Sequence, residues 1–180
     1  GRLIYDHDQA AWYGTDEMRR RVADVPESGD WIVEPHDGLL RVTFFSPVGG
    51  APMAFFWADM RGQSVVASQV LAPGDGARLT PRQTRMAQAR EAARAQGKAP
   101  CTDARFNAVA APPDSDTAPV SVYLLTPMTK TGVYPLGGHY RVDVGADGRI
   151  TGGRDFTKAC FNLDMAGAPP GGIAGVTHLL

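Results

Sequence analysis

Residue types that commonly carry chemistry are few in this chain and widely spaced. It contains four histidines, at His7, His36, His139 and His178. Their spacing matches neither HxH nor HExxH, the patterns in which two nearby imidazoles bind one zinc ion. Residues 143–148 begin like a calcium loop, but glycine and arginine occupy the third and twelfth positions, where such a loop needs oxygen ligands. We therefore predict no metal site and no cofactor.

Signatures of phosphate binding and of nucleophilic serine are also missing. Residues 74–79 read GDGARL, which fits neither GxGxxG nor GxxxxGK[ST]. Residues 62–66 read GQSVV and lack the closing glycine of a nucleophile elbow. The arginines of the predicted helix 81–96 have no aromatic residues between them, and the net charge of the chain is −1. We therefore predict no nucleic-acid partner.

The two cysteines, Cys101 and Cys160, form no CxxC pair. They can form one disulfide across a long loop, or they can be two unrelated buried thiols. We favour the disulfide, because an even cysteine number in a chain rich in glycine and proline is typical of such a bridge. Free thiols would instead allow a cysteine hydrolase that uses a distant histidine.

One constellation predicts a ligand-binding surface. His139, Arg141 and Asp143 alternate along one face of a predicted strand, and Tyr134 precedes them. The Gly-Gly pair at residues 137–138 lets backbone approach another group closely. We predict a polar cleft formed by these four side chains, with His139 as the base if the protein is a hydrolase. The alternative is a glycine-rich bend that enters a strand with a solvated outer face.

Two helices are predicted to support these residues. Residues 8–24 place small and apolar side chains on one face, although Gly14 can delay the start of this helix to Thr15. Residues 81–96 have stronger signals, because Thr80 and Gln83 form a T-x-x-Q capping box and a glycine follows the last turn. The predicted buried stripe of this second helix consists of Met86, Ala89, Ala93 and Gln96.

Alternating or continuous apolar runs predict several strands, at residues 39–45, 53–60, 64–71, 105–110, 120–126, 139–144 and 149–156. Residues 157–163 either extend the last of these or turn away, and residues 173–180 are a candidate final strand. Few helices separate the strands, so a parallel doubly wound sheet is excluded. We predict an α+β fold, with a single mostly antiparallel sheet of about six to eight strands and two main helices packed on it. Residues 1–180 are predicted to form one domain.

The composition, with 43% hydrophobic and 21% charged residues, is that of a globular chain. The longest apolar run, residues 51–58, is far short of the roughly 20 residues that span a bilayer, so we predict no membrane span. The chain begins with glycine and not with methionine. Either a leader peptide was removed, or this first residue does not belong to the natural protein. A removed leader and a disulfide together favour a periplasmic or secreted protein. Arginine outnumbers lysine 15 to 3, which is typical of a GC-rich bacterial genome.

These observations favour a non-catalytic binding or structural module whose partner is an unidentified small molecule or protein. The alternative is a hydrolase with a scattered Cys/His or carboxylate/His site. A third hypothesis is a domain that works only in an assembly, because residues 175–180 are largely apolar, whereas chain termini are usually solvated.

Overall fold

The computed structural model describes residues 1–72, 77–157 and 159–165, which form two helices and ten strands. The helices are α1 (Arg2–Arg21) and α2 (Pro81–Arg94). The strands are β1 (Asp30–His36), β2 (Leu39–Val48), β3 (Ala51–Arg61), β4 (Ser64–Val70), β5 (Asn107–Ala110), β6 (Val120–Leu125), β7 (Val133–Pro135), β8 (Tyr140–Val144), β9 (Ile150–Asp155) and β10 (Asn162–Asp164). The predicted strand at residues 173–180 lies outside the described residues.

The strands form three antiparallel sheets. The first has the order β1-β2-β3-β4, the second β5-β6-β8-β9, and the third pairs β10 with β7. The predicted α+β class with antiparallel strands and two helices is confirmed, but the prediction of a single sheet is wrong. The reason is the position of α2, which packs against both larger sheets and therefore separates the strands before it from those after it.

Helix α1 covers one face of the first sheet. Gly14, in the middle of this helix, lies so close to the sheet that a Cβ atom there would be 3.1 Å from a methyl group of Val42. The helix begins at Arg2, so Gly14 gives close packing and does not mark a helix start. Trp12 remains half exposed on the helix surface. The core beneath α1 consists of Ala10, Ala11, Met18, Val33, Val42, Phe44, Phe56, Ala58 and Met60.

Helix α2 buries its apolar stripe between the two larger sheets. Met86, Ala89 and Ala93 are buried as predicted, whereas Gln96 is exposed beyond the end of the helix. The fourth buried position is instead Arg90, which is 0% exposed. The sheets contribute buried side chains to the same core, among them Ile32, Phe45, Ala54, Val120, Val122, Leu124, Val142 and Val144.

The predicted capping box at the start of α2 is confirmed. The Thr80 hydroxyl accepts a hydrogen bond of 3.2 Å from the Gln83 backbone N–H. In return, the side-chain oxygen Oε1 of Gln83 accepts one of 2.9 Å from the Thr80 backbone N–H. The Gln83 amide nitrogen donates to the Glu34 carboxylate on β1. The cap therefore both starts the helix and joins it to the first sheet.

Strand β1 was not predicted. His36 ends this strand, and the turn that follows consists of Asp37 and Gly38, both with positive φ. The adjacent apolar residues Ile32 and Val33 belong to different cores, one on each side of the sheet. Two-sided burial explains why the segment shows no simple alternation of apolar and polar residues.

Candidate functional site

Three of the four residues predicted as a ligand site lie on two different sheets, and the fourth, His139, directly precedes β8. Tyr134 is on β7 of the small third sheet and is half exposed. Arg141 and Asp143 are on β8 and form an ion pair of 3.1 Å, and Asp143 accepts a hydrogen bond of 2.6 Å from the Ser121 hydroxyl. The structure thus brings Arg141 and Asp143 together. None of the four residues lines either of the two clefts described below, so their binding role stays a prediction.

His139 is held by backbone groups at both ring nitrogens. Its Nδ1 accepts a hydrogen bond of 3.1 Å from the Thr126 N–H. Its Nε2 lies 3.1 Å from the Pro135 carbonyl oxygen, which can only accept, so Nε2 carries the proton in this arrangement. The imidazole therefore joins two segments of the chain, and neither nitrogen is free to accept a proton from a substrate.

The predicted disulfide between Cys101 and Cys160 is present, with the two Cα atoms 5.4 Å apart. The Gly-Gly pair lies directly against it. Gly138 has φ +67°, and a Cβ atom there would be 2.6 Å from the Cys101 sulfur. Thr126 accepts a hydrogen bond from the Cys101 N–H and donates one to the Gly138 carbonyl. We call this group, Cys101, Thr126, Gly138, His139 and Cys160, the disulfide hub.

Because the disulfide hub is tightly packed, we expect a single added methyl group to lower the stability of the protein strongly. Gly138→Ala is expected to lower the free energy of unfolding by about 2 to 3 kcal/mol, because it combines an unfavourable positive φ with collision against a sulfur and a hydroxyl. Gly148→Ala is the matched control, since Gly148 has φ +78° but a Cβ there would meet nothing within 4 Å. It should lower stability by only about 1 kcal/mol. Urea denaturation of both variants checks this, and equal losses would mean that the close contact contributes nothing.

The larger of two clefts has a volume of about 980 Å³ and lies between α2, the start of β1, the end of β2 and the start of β3. We call it the Trp31 cleft. Its polar lining includes three carboxylates and two guanidinium groups. The residues that line it are Glu27, Ser28, Gly29, Asp30, Trp31, Phe45, Pro47, Gly50, Pro52, Thr84, Ala87, Gln88, Glu91, Arg94, Pro100, Arg105 and Phe106.

A charge network around the buried Arg90 forms one wall of the Trp31 cleft. The Asp30 carboxylate is 2.8 Å from Arg90 and 2.8 Å from Arg94, and it accepts a hydrogen bond of 2.9 Å from the Trp31 backbone N–H. The Arg90 guanidinium also lies over the indole of Trp31, 3.9 Å from the ring centre. Ion pairs and a cation–π contact therefore join helix α2 and strand β1 at this wall.

Because Arg90 is fully buried, the Asp30 carboxylate is needed to stabilise its positive charge. Desolvation lowers the pKa of Arg90 to about 9, the Asp30 carboxylate opposes this shift, and Arg94 adds to it. At neutral pH the guanidinium remains protonated, because that pKa is still above 7. None of its nitrogens makes a hydrogen bond within the described part of the chain. The ion pair and the contact with Trp31 are thus the interactions that offset its desolvation.

A smaller cleft of about 280 Å³ lies between α1, β1 and β5. We call it the Trp12 cleft. It is lined by Asp8, Ala11, Trp12, Thr15, Asp16, Arg19, Trp31, Asn107 and Pro127. Burial raises the pKa of Asp8, and a hydrogen bond from Asn107 opposes that shift. Trp31 lines both clefts, so the two candidate sites are adjacent.

Sequence reasoning missed both clefts. Arg90 follows Met86 by four residues and precedes Ala93 by three, so it lies on the buried stripe of α2, and this spacing was the available signal. Trp31 belongs to the strand that was not predicted. Neither cleft is lined by a histidine or a cysteine among the described residues. Those residues also contain no group of three or more histidine, cysteine or acidic side chains that could hold a metal ion.

No protein-family model, curated protein or solved structure matches this chain. The fold is that of a disulfide-bonded α+β protein in which helix α2 packs against both antiparallel four-stranded sheets. Neither of its helices, as far as the chain is described, is long and apolar enough to cross a membrane.

Proposed function

We propose that this protein is a non-catalytic binding module and that the Trp31 cleft is its ligand site. The observation that carries this proposal is the cleft itself, about 980 Å³ in volume, with one wall held by the Asp30, Arg90 and Arg94 network. That volume lies in the range of sites for small organic ligands, about 300 to 1,000 Å³. The residues that hold the wall are on a helix and a strand, so the site is largely formed before a ligand arrives.

The lining indicates the chemistry of the ligand. Trp31, Phe106 and three prolines provide flat apolar surface, which suits a ring or a planar apolar group. Acidic and basic side chains both line this surface, and Arg94 is already paired with Asp30. We infer a small organic molecule with a flat apolar body and at least one polar end.

The hydrolase alternative has less support. Both cysteines are bonded to each other, so neither sulfur is available as a nucleophile while the bridge is intact. The ring nitrogens of His139 are engaged by backbone groups. Acidic residues do line the clefts, but no described contact pairs one of them with a nucleophile there.

We further propose an exported protein of bacterial origin, periplasmic or secreted. The disulfide supports this location, since such bridges persist in oxidising compartments and are rare in the reducing cytosol.

The proposal is tested with three probes that share one ring and differ in charge: benzylamine, benzyl alcohol and benzoate. We expect each to shift the backbone amide signals of Gly29 and Ala87, which line the Trp31 cleft, in ¹H–¹⁵N spectra. Gln88→Trp places a bulky side chain at an exposed position of the lining and should weaken binding by about tenfold or more. Gln63→Trp, in the exposed turn between β3 and β4, is the control and should bind normally.

Two results would overturn the proposal. One is the absence of any shift at Gly29 and Ala87 with all three probes. The other is unchanged binding by the Gln88→Trp variant, which would place the probes elsewhere on the protein.

A further inference from the structure

The Trp12 cleft combines an aromatic surface with a carboxylate that lacks a cationic partner. Trp12 is half exposed, and its indole borders the cleft together with that of Trp31. The partner that the structure gives to the Asp8 carboxyl is Asn107, which is uncharged. Within the described residues Asp8 forms no ion pair.

The charges around the cleft favour a positive ligand. From α1, Asp8 and Asp16 contribute two carboxylates and Arg19 one guanidinium. From β1 and β5, Trp31 and Asn107 contribute no charge. The formal charge of the lining is therefore −1 when both acids are ionised. Asp8 is partly buried, and a partly buried carboxylate without a counter-ion gains more from a cation than an exposed one does, because its field is less screened.

The aromatic rings favour the same kind of ligand. An indole face carries a negative quadrupole and attracts ammonium groups, most strongly where water is excluded. One face of Trp31 is already occupied by the Arg90 guanidinium, 3.9 Å from the ring centre. The half-exposed ring of Trp12, which holds no cation in the described part of the chain, is therefore the indole that we assign to a new cation, with Trp31 as a second wall.

We propose that the Trp12 cleft binds organic ammonium groups, with Trp12 contacting the cation and Asp8 serving as its counter-ion. Its volume of about 280 Å³ suits a single small cation such as a trimethylammonium head group. The proposal does not depend on a ligand in the Trp31 cleft.

The test compares choline with 3,3-dimethyl-1-butanol, which has the same shape but a neutral carbon in place of the nitrogen. Binding is followed by the indole N–H signal of Trp12 and the side-chain amide signal of Asn107. We expect choline to shift both signals and to bind about tenfold or more tightly than its neutral isostere. Equal binding of the two compounds would overturn the proposal, and so would the absence of binding by choline.

Variants separate the two proposed contacts. Trp12→Ala and Asp8→Asn should each weaken choline binding by about tenfold. Tyr5→Ala is the matched control, because Tyr5 is an exposed aromatic residue of the same helix that does not line the cleft. Gln88→Trp, which blocks the Trp31 cleft, should leave choline binding unchanged. Loss of binding in the Tyr5 or Gln88 variant, or full binding in the Trp12 variant, would place the cation elsewhere.

The pH dependence supplies a second readout. Choline affinity should fall as the pH is lowered and Asp8 takes up its proton, and this fall should disappear in the Asp8→Asn variant. Asp16 and Arg19 are the other charged groups that line the cleft. Asp16→Asn removes one of the two carboxylates and lowers choline affinity at every pH, but the fall in affinity on acidification should remain. A pH profile that changes with Asp16 and not with Asp8 would contradict the assignment of the counter-ion.

Discussion

Replacing Asp30 by asparagine is expected to lower the free energy of unfolding by about 3 to 5 kcal/mol. The amide oxygen can still accept the hydrogen bond from the Trp31 N–H, so the substitution removes chiefly the negative charge. Arg90, which is 0% exposed, then keeps its positive charge in the core without a carboxylate beside it. Breaking a buried ion pair in this way is much more costly than breaking one at the surface.

A second substitution distinguishes this cause from lost packing. In the double variant Asp30→Asn/Arg90→Met the uncompensated charge is absent, so much of the lost stability should return. Arg94→Gln is the surface control, because the other partner of Asp30 is exposed, and it should lower stability by about 1 kcal/mol or less. Urea denaturation at pH 7 measures all three. If Asp30→Asn alone costs less than about 1 kcal/mol, the buried charge does not depend on Asp30.

The double variant Cys101→Ala/Cys160→Ala is expected to lose about 4 kcal/mol of unfolding free energy. The bridge joins residues that are 59 positions apart, and closing a loop of this length restricts the unfolded chain by about that amount in the chain-entropy treatment. The small sheet of β7 and β10 should lose order first, since Cys160 lies just before β10 and holds it beside the disulfide hub.

Reduction of the unaltered protein is the control for this prediction. Urea denaturation with a reductant should give the same loss of stability as the alanine double variant, because both remove the same bond. Intact mass after alkylation, with and without reduction, must first show that both thiols are blocked in the monomer. Full stability of the reduced protein would mean that the hydrogen bonds of the disulfide hub suffice without the bridge.

Local sequence signals account for the parts of the fold that were predicted well. Helix α2 was predicted within two residues because its cap, from Thr80 to Gln83, and the glycine after its last turn act on neighbouring backbone groups. The four strands of the second sheet were also predicted, and in β6 and β8 the signal was the alternation of buried and less buried residues. The short strands β7 and β10 were not predicted as separate strands. Which strands share a sheet depends on contacts distant in the sequence, and the helix inserted between the sheets has no local signature.

The residues of the Trp31 cleft were not predicted, because their contacts are also distant in the sequence. Arg90 resembles a solvated cation in a helix rich in arginine, and the groups that make its burial tolerable, Asp30 and Trp31, are about 60 positions away in the sequence. The disulfide hub was partly anticipated, because a Gly-Gly pair implies close approach of another group. The sequence alone did not show that this group would be the disulfide itself.

The disulfide also changes the topology of the covalent chain. Residues 101–160 form a closed ring that contains every strand of the second sheet, from Asn107 to Asp155. A protease that cuts once inside this ring, for instance at the exposed residues 114–117, opens the ring without releasing a fragment. The two pieces of the cleaved chain remain one covalent molecule until the disulfide is reduced. In a compartment that contains proteases, one cleavage within this ring therefore cannot separate any strand of the second sheet from the rest of the protein.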